Sequence, residues 1–179
     1  MQMRFVIFFL HLSRFSSSIT MNVKLNNPFQ GLEGYNCFGC SPDNLNGLQM
    51  KFEMQGEDVV CDWQPRRTLE SWHNTLHGGI QTTLMDEIAS WWVFVNMKTS
   101  GVTYKMEVSL KKPVRTDQGP IKLLARKHEI KRNLAVIFVQ LFDSEGECCT
   151  ESYMYYFTYP QLIAKEKLQY PGYEGFIGE

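Results

Sequence analysis

At 179 residues the chain is long enough for one domain with a sizeable core, and 44% hydrophobic against 21% charged residues is an ordinary globular balance. A net charge of −1 provides no global positive field to collect phosphates, which excludes a general nucleic-acid binder. Five cysteines are an odd number for a disulfide framework, so a reducing compartment and a cytoplasmic location are expected.

The first stretch, "MQMRFVIFFLHLSRFSSSIT" (1–20), has a basic start, an apolar run from Phe5 to Leu12 interrupted by His11, and a serine cluster. It reads as an N-terminal extension of one of three kinds: a non-native start ahead of Met21, a weak export signal, or an ordinary helix. The apolar run is too short to span a bilayer, so no membrane association is expected. Residues 21–160 then carry the periodicities of a single domain, and 161–179 form a tail.

In "GLQMKFEM" (47–54), Leu48, Met50, Phe52 and Met54 alternate with polar residues, which predicts a half-buried strand. After the Gln55-Gly56 turn, "EDVVCDW" (57–63) is its antiparallel partner. "GGIQTTLMDEIASWWVFV" (78–95) predicts a helix. At 100° per residue, Ile80, Leu84, Ile88, Trp91, Trp92 and Val95 fall within about 120° and form the stripe that covers a sheet. Asp86 lies on the opposite side with Gly79, Thr82, Thr83 and Ser90, and Glu87 flanks the stripe.

Four more strands follow. "VTYKMEVSLKK" (102–112) puts Val102, Tyr104, Met106, Val108 and Leu110 on one face, and Thr103, Lys105, Glu107, Ser109 and Lys111 on the other. "PIKLLARKHEIK" (120–131), "LAVIFVQLF" (134–142) and "CCTESYMYYFTY" (148–159) complete the set, the last two joined by the turn "DSEGE". The tail adds a short helix, "QLIAKEKL", and a glycine- and aromatic-rich stretch without clear structure. Two strands, one helix and four strands make an α+β fold, an antiparallel sheet of five to six strands with the helix against one face.

Chemistry concentrates where the helix begins. Amides in a helix's first turn have no intrahelical acceptor and carry partial positive charge. At Gly78 and Gly79 the missing side chains would let a carbonyl oxygen approach those amides, as in an oxyanion hole. The same glycines would equally suit a tight strand-to-helix turn, with Asp86 simply solvated. Cys37 and Cys40 form one CxxC pair. No second CxxC or HxxxH completes a four-ligand zinc set, so a structural loop with buried or free thiols is expected and no metal site.

"HGG" (77–79) followed by "DE" (86–87), the upstream "CFGCSPDNLNGLQMKF" and the downstream "VTYKMEVSLKKPV" together resemble hotdog-fold acyl-CoA thioesterases. The branch is the one typified by the phenylacetate-pathway and 4-hydroxybenzoyl-CoA enzymes, and the resemblance covers roughly residues 35–158. It implies hydrolysis of an acyl-CoA to free acid and CoA, with no cofactor beyond the CoA of the substrate. It implies that the Gly78 amide, with or without Gly79, polarises the thioester carbonyl and that His77 shapes the turn. Asp86 would be nucleophile or general base, in a site shared between subunits of a homodimer or homotetramer.

Where many members carry Asn or Gln, six residues before the histidine, this chain has Ser71. Either Ser71 or Asn74 could take that place. The departure keeps a second reading open, a non-catalytic acyl-CoA-binding or regulatory hotdog protein. Basic runs occur at "KKPVR" (111–115) and around "ARKHEIKR" (125–132); Lys131 and Arg132 are the expected partners of the CoA phosphates, with Thr82 and Thr83 in the polar lane beside Asp86.

Overall fold

The computed structural model describes residues 22–177; the reading of residues 1–20 as an extension lies outside them. Nine strands are present: β1 (Val23–Lys24), β2 (Glu53–Gln55), β3 (Asp58–Trp63), β4 (Glu70–Trp72), β5 (Thr75–Leu76), β6 (Gly101–Leu110), β7 (Ile121–Lys131), β8 (Leu134–Phe142) and β9 (Cys148–Thr158). Two helices, α1 (Gly78–Asn96) and α2 (Gln161–Leu168), and two short 3-10 turns (Arg67–Leu69, Tyr173–Gly175) are the other elements among the described residues. Seven strands form one antiparallel sheet in the order β1-β2-β3-β7-β8-β9-β6, and β4 and β5 form a separate hairpin ahead of α1.

The sheet wraps the long helix. Val59, Cys61, Leu123, Ala125, Ile137, Val139, Leu141, Met154 and Tyr156 supply its buried side, as period-2 alternation requires. Leu84, Ile88, Trp91, Trp92 and Val95 of the expected stripe are buried, whereas Ile80 is only half-buried. Met85, Ala89 and Val93 are buried too, so the apolar surface of α1 is wider than one stripe. Its second cover is the chain before β2, where Phe52 stacks on Trp91 at 4.3 Å between ring centroids.

Three expectations change. The stretch 47–52 keeps its alternation, with Leu48, Met50 and Phe52 buried, yet it is no strand. The amides of Leu48 and Met50 donate to the carbonyls of Phe38 and Gly39, so a loop rather than a strand is their partner. The tail also has definite structure. Phe176 is fully buried, stacks with Phe94 and meets Trp91 edge-on, while Leu25 and Ile177 form a bridge.

The third change concerns β6, which is an edge strand. Its apolar side chains stay largely open: Tyr104 is 61% and Leu110 54% exposed. Its alternation also breaks, because the pairing with β9 shifts register between Thr103 and Lys105. Such a bulge re-aims a side chain. Thr103 therefore turns towards α1, while Lys105 and Glu107 meet Tyr155 on the far face.

Candidate active site

The β4–β5 hairpin delivers the chain to α1 through His77, the N-cap residue. The imidazole Nδ1 accepts a hydrogen bond from the Gly79 amide at 2.9 Å, and the His77 carbonyl accepts from the Gln81 amide. His77 thus caps the helix with its own side chain. The same bond engages the Gly79 N–H, which is withdrawn from the pair of donors expected there. Among the described residues the Gly78 N–H meets no acceptor.

Gly78 and Ser71 line one cavity of about 300 Å³, together with Gln81, Leu110, Lys111 and Lys112. Gln81 is buried. Its amide nitrogen donates to the Leu76 carbonyl, and its oxygen accepts from the Thr150 hydroxyl at 2.6 Å. Lys111 and Lys112 ion-pair with Glu151 and Glu147 on the surface, where such pairs exchange readily for other anions. Asn74 is not part of this cavity. It sits at the hairpin tip with φ 55°, and its side-chain amide donates to Asp117.

Asp86 lies further along the helix. Its Oδ1 accepts hydrogen bonds from the Tyr156 hydroxyl at 2.5 Å and the Thr103 hydroxyl at 3.0 Å. Tyr156 also donates to the Asp86 carbonyl. Burial, followed by the charge of Asp86, holds the Tyr156 phenol far above its ordinary pKa, so it remains a donor. Asp86 is thus half-buried against its own β6 and β9 rather than standing in an open polar lane. The hydroxyls of Thr82 and Thr83 turn back onto the carbonyls of Gly78 and Gly79.

The adjacent acid takes a different course. The Glu87 carboxylate faces the loop before β2, where the Cys37 thiol lies 3.6 and 3.7 Å from its oxygens and Trp91 Nε1 donates to it at 3.2 Å. Burial pushes the Glu87 carboxyl up to about 8. Sequence periodicity put Glu87 beside the apolar stripe, but the loop that covers it carries no periodic signal.

Lys131 ends β7 and Arg132 begins the β7–β8 turn, and Lys131 pairs with Glu129. Strand register puts this turn level with Val102, whereas the Gly78 cavity is level with Leu110. Eight strand residues, roughly 26 Å, separate the two levels, so within one chain these cations are remote from Gly78. Sequence reading noted the "KKPVR" run without choosing Lys111 and Lys112, and it missed Tyr156, Thr103 and Gln81. Tyr156 sits in a run of aromatics on alternating faces, where nothing local distinguishes it.

Residues 73–150 match the thioesterase superfamily. The resemblance read from the sequence holds: this segment is thioesterase-superfamily sequence, and the fold that carries it is the hotdog fold. A solved thioesterase superfamily protein is 14% identical with a TM-score of 0.61; the match covers 65% of this chain and only 57% of that one. A Streptococcus mutans protein bound to acetyl CoA is 15% identical over 73% of this chain and 98% of its own, with a TM-score of 0.59. The Escherichia coli PaaI protein from the phenylacetic acid degradation operon is 12% identical over 64% and 82%, with a TM-score of 0.57. No curated protein matches in sequence. No helix among the described residues is long and apolar enough to cross a membrane.

Proposed function

We propose that the chain hydrolyses an acyl-CoA thioester to a carboxylic acid and CoA. The observation that carries this reading is the cavity at the start of α1, where the Gly78 amide, the Ser71 hydroxyl and two lysines converge. A thioester carbonyl would accept from Gly78 N–H, and the lysines would receive phosphate oxygens of CoA. The superfamily match and the acetyl CoA bound by the Streptococcus mutans protein support the same ligand class.

Asp86 is the acid of this scheme, held by Tyr156 and Thr103 with Oδ2 left for chemistry. Eight helical residues separate it from Gly78, a rise of about 12 Å. A carbonyl carbon within reach of Gly78 N–H therefore lies beyond the carboxylate of the same chain. The acid that acts beside Gly78 is Asp86 of the partner subunit, and the β6 edge, apolar and without a strand partner on its outer side among the described residues, is where the second copy joins. As nucleophile, the carboxylate attacks the carbonyl carbon and expels CoA thiolate, and water then hydrolyses the anhydride. As general base, it takes a proton from the water that attacks.

Thiol release from a panel of CoA esters tests the activity, and saturable binding of those esters without thiol release would overturn it. That outcome defines the second reading, an acyl-CoA-binding hotdog protein. Ser71 favours it, standing where many relatives carry a side-chain amide.

A further inference from the structure

We infer that Cys37, Cys40 and Glu87 form a zinc site that clamps the loop before β2 onto the middle of α1. One sulfur from each cysteine and one carboxylate oxygen all lie within 4.8 Å of one another. Around tetrahedral zinc, sulfur and oxygen ligands stand about 3.5 Å apart, from bond lengths of about 2.3 and 2.0 Å. The Cys37 sulfur lies 3.6 and 3.7 Å from the two Glu87 oxygens. The three ligands come from two segments fifty residues apart, which only the folded chain brings together.

The surroundings are built for that arrangement. A Cβ at Gly39 would sit 2.3 Å from Glu87 Oε2, so the loop between the cysteines closes over the carboxylate only with glycine there. Trp91 Nε1 orients the carboxylate. The Tyr35 hydroxyl lies 3.0 Å from the Cys40 sulfur, and the Asn27 side chain donates to both that hydroxyl and the Cys40 carbonyl. Partners of this kind fix ligand direction in metal sites. Among the described residues no lysine, arginine or histidine ion-pairs with Glu87, so a half-buried carboxyl beside two thiols has no cation of its own.

A cavity of about 300 Å³ opens on the cluster between Phe29, Tyr35, Ser90 and Phe94. It gives the ion a way in and leaves the fourth position to water. Two thiolates and a carboxylate select a thiophilic divalent ion, zinc before magnesium or calcium. The protons of the two thiols and any proton on Glu87 are released as the ion binds, leaving two thiolates and a carboxylate as ligands.

The test uses the full chain, reduced and freed of metal by chelation, titrated with Zn²⁺ against a chromophoric chelator. One Zn²⁺ per chain is expected, and Co²⁺ in its place should give a thiolate-to-cobalt charge-transfer band. Cys37→Ser and Cys40→Ser should each weaken binding by more than about a hundredfold, beyond the 10–100-fold loss typical of an outer partner. Glu87→Gln, a nearly isosteric change that spares the thiols, should weaken it at least tenfold with far-ultraviolet circular dichroism unchanged. A reduced, folded wild-type chain that takes up no stoichiometric zinc overturns the assignment, as does a Cys37–Cys40 disulfide that reforms in the presence of zinc. Unchanged affinity in Glu87→Gln removes Glu87 from the site and overturns the clamp. None of these readouts depends on thioester hydrolysis, so this site and the proposed activity stand or fall separately.

Discussion

Asp86 and Glu87 are neighbours in sequence with opposite surroundings, and the difference assigns their roles. Asp86 accepts from two hydroxyls on the sheet, whereas Glu87 is half-buried against sulfur and indole. Asp86→Asn should lower kcat at least about a hundredfold, the scale of losing a positioned base, with the melting temperature nearly unchanged. Equal turnover in the mutant would remove Asp86 from the mechanism. At Gly78 an added Cβ would lie 2.8 Å from the Leu110 methyl. Leu110 is largely exposed and can swing aside, so the fold tolerates Gly78→Ala. The cost should fall on kcat, about 2.7–4 kcal/mol of transition-state stabilisation for one lost amide donor. A drop in melting temperature with kcat intact would mark the glycine as a turn former alone.

Among the elements, α1 and the four long strands were legible because each holds its period over several residues in a row, even where a bulge interrupts it as in β6. Elements held by tertiary partners were not. β1 and β5 are two residues each, and 47–52 alternates like a strand while bonding to a loop. The site divides the same way. HGG and Asp86 stand out as motif and spacing, while Tyr156 and Thr103 depend on strand register and on a bulge that alternation cannot foresee. The β8–β9 turn shows how a legible element is held: Asp143 accepts from the amides of Glu145 and Glu147. Those bonds, the Glu147 amide foremost, hold its carboxyl below the usual range. A lowered folded-state pKa contributes stability above the unfolded value of about 3.9, and that contribution is lost as pH falls through the folded value. Asp143→Ala should therefore lower the melting temperature at pH 7, with the gap to wild type closing as pH falls below the ordinary aspartate value. A gap that persists in acid would mean the turn is held by something other than this carboxylate.

For the whole molecule, the open β6 edge and the 12 Å between Gly78 and Asp86 lead to one expectation, a homodimer or homotetramer with shared sites. Light scattering at micromolar concentration should give at least twice the chain mass. Met106→Glu, at the exposed centre of β6, should shift it towards monomer and abolish turnover together. A sharper measurement mixes two inactive proteins, Gly78→Ala and Asp86→Asn. If subunits exchange, half the dimers carry one intact site of two, and activity should return to about a quarter of wild type. No recovery after verified exchange would put both residues in one chain's site.

The buried Phe176, wedged among Phe29, Trp91 and Phe94, bears on how the chain is made. A ribosome delivers residues in order, and the aromatic centre of α1 is finished long before residue 176 leaves the exit tunnel. Until then the Trp91 and Phe94 rings lack their last cover, and the Leu25–Ile177 bridge has only one of its partners. The nascent chain therefore carries an exposed aromatic patch until Phe176 arrives, within reach of chaperones. Final closure of the core waits for Phe176 to arrive.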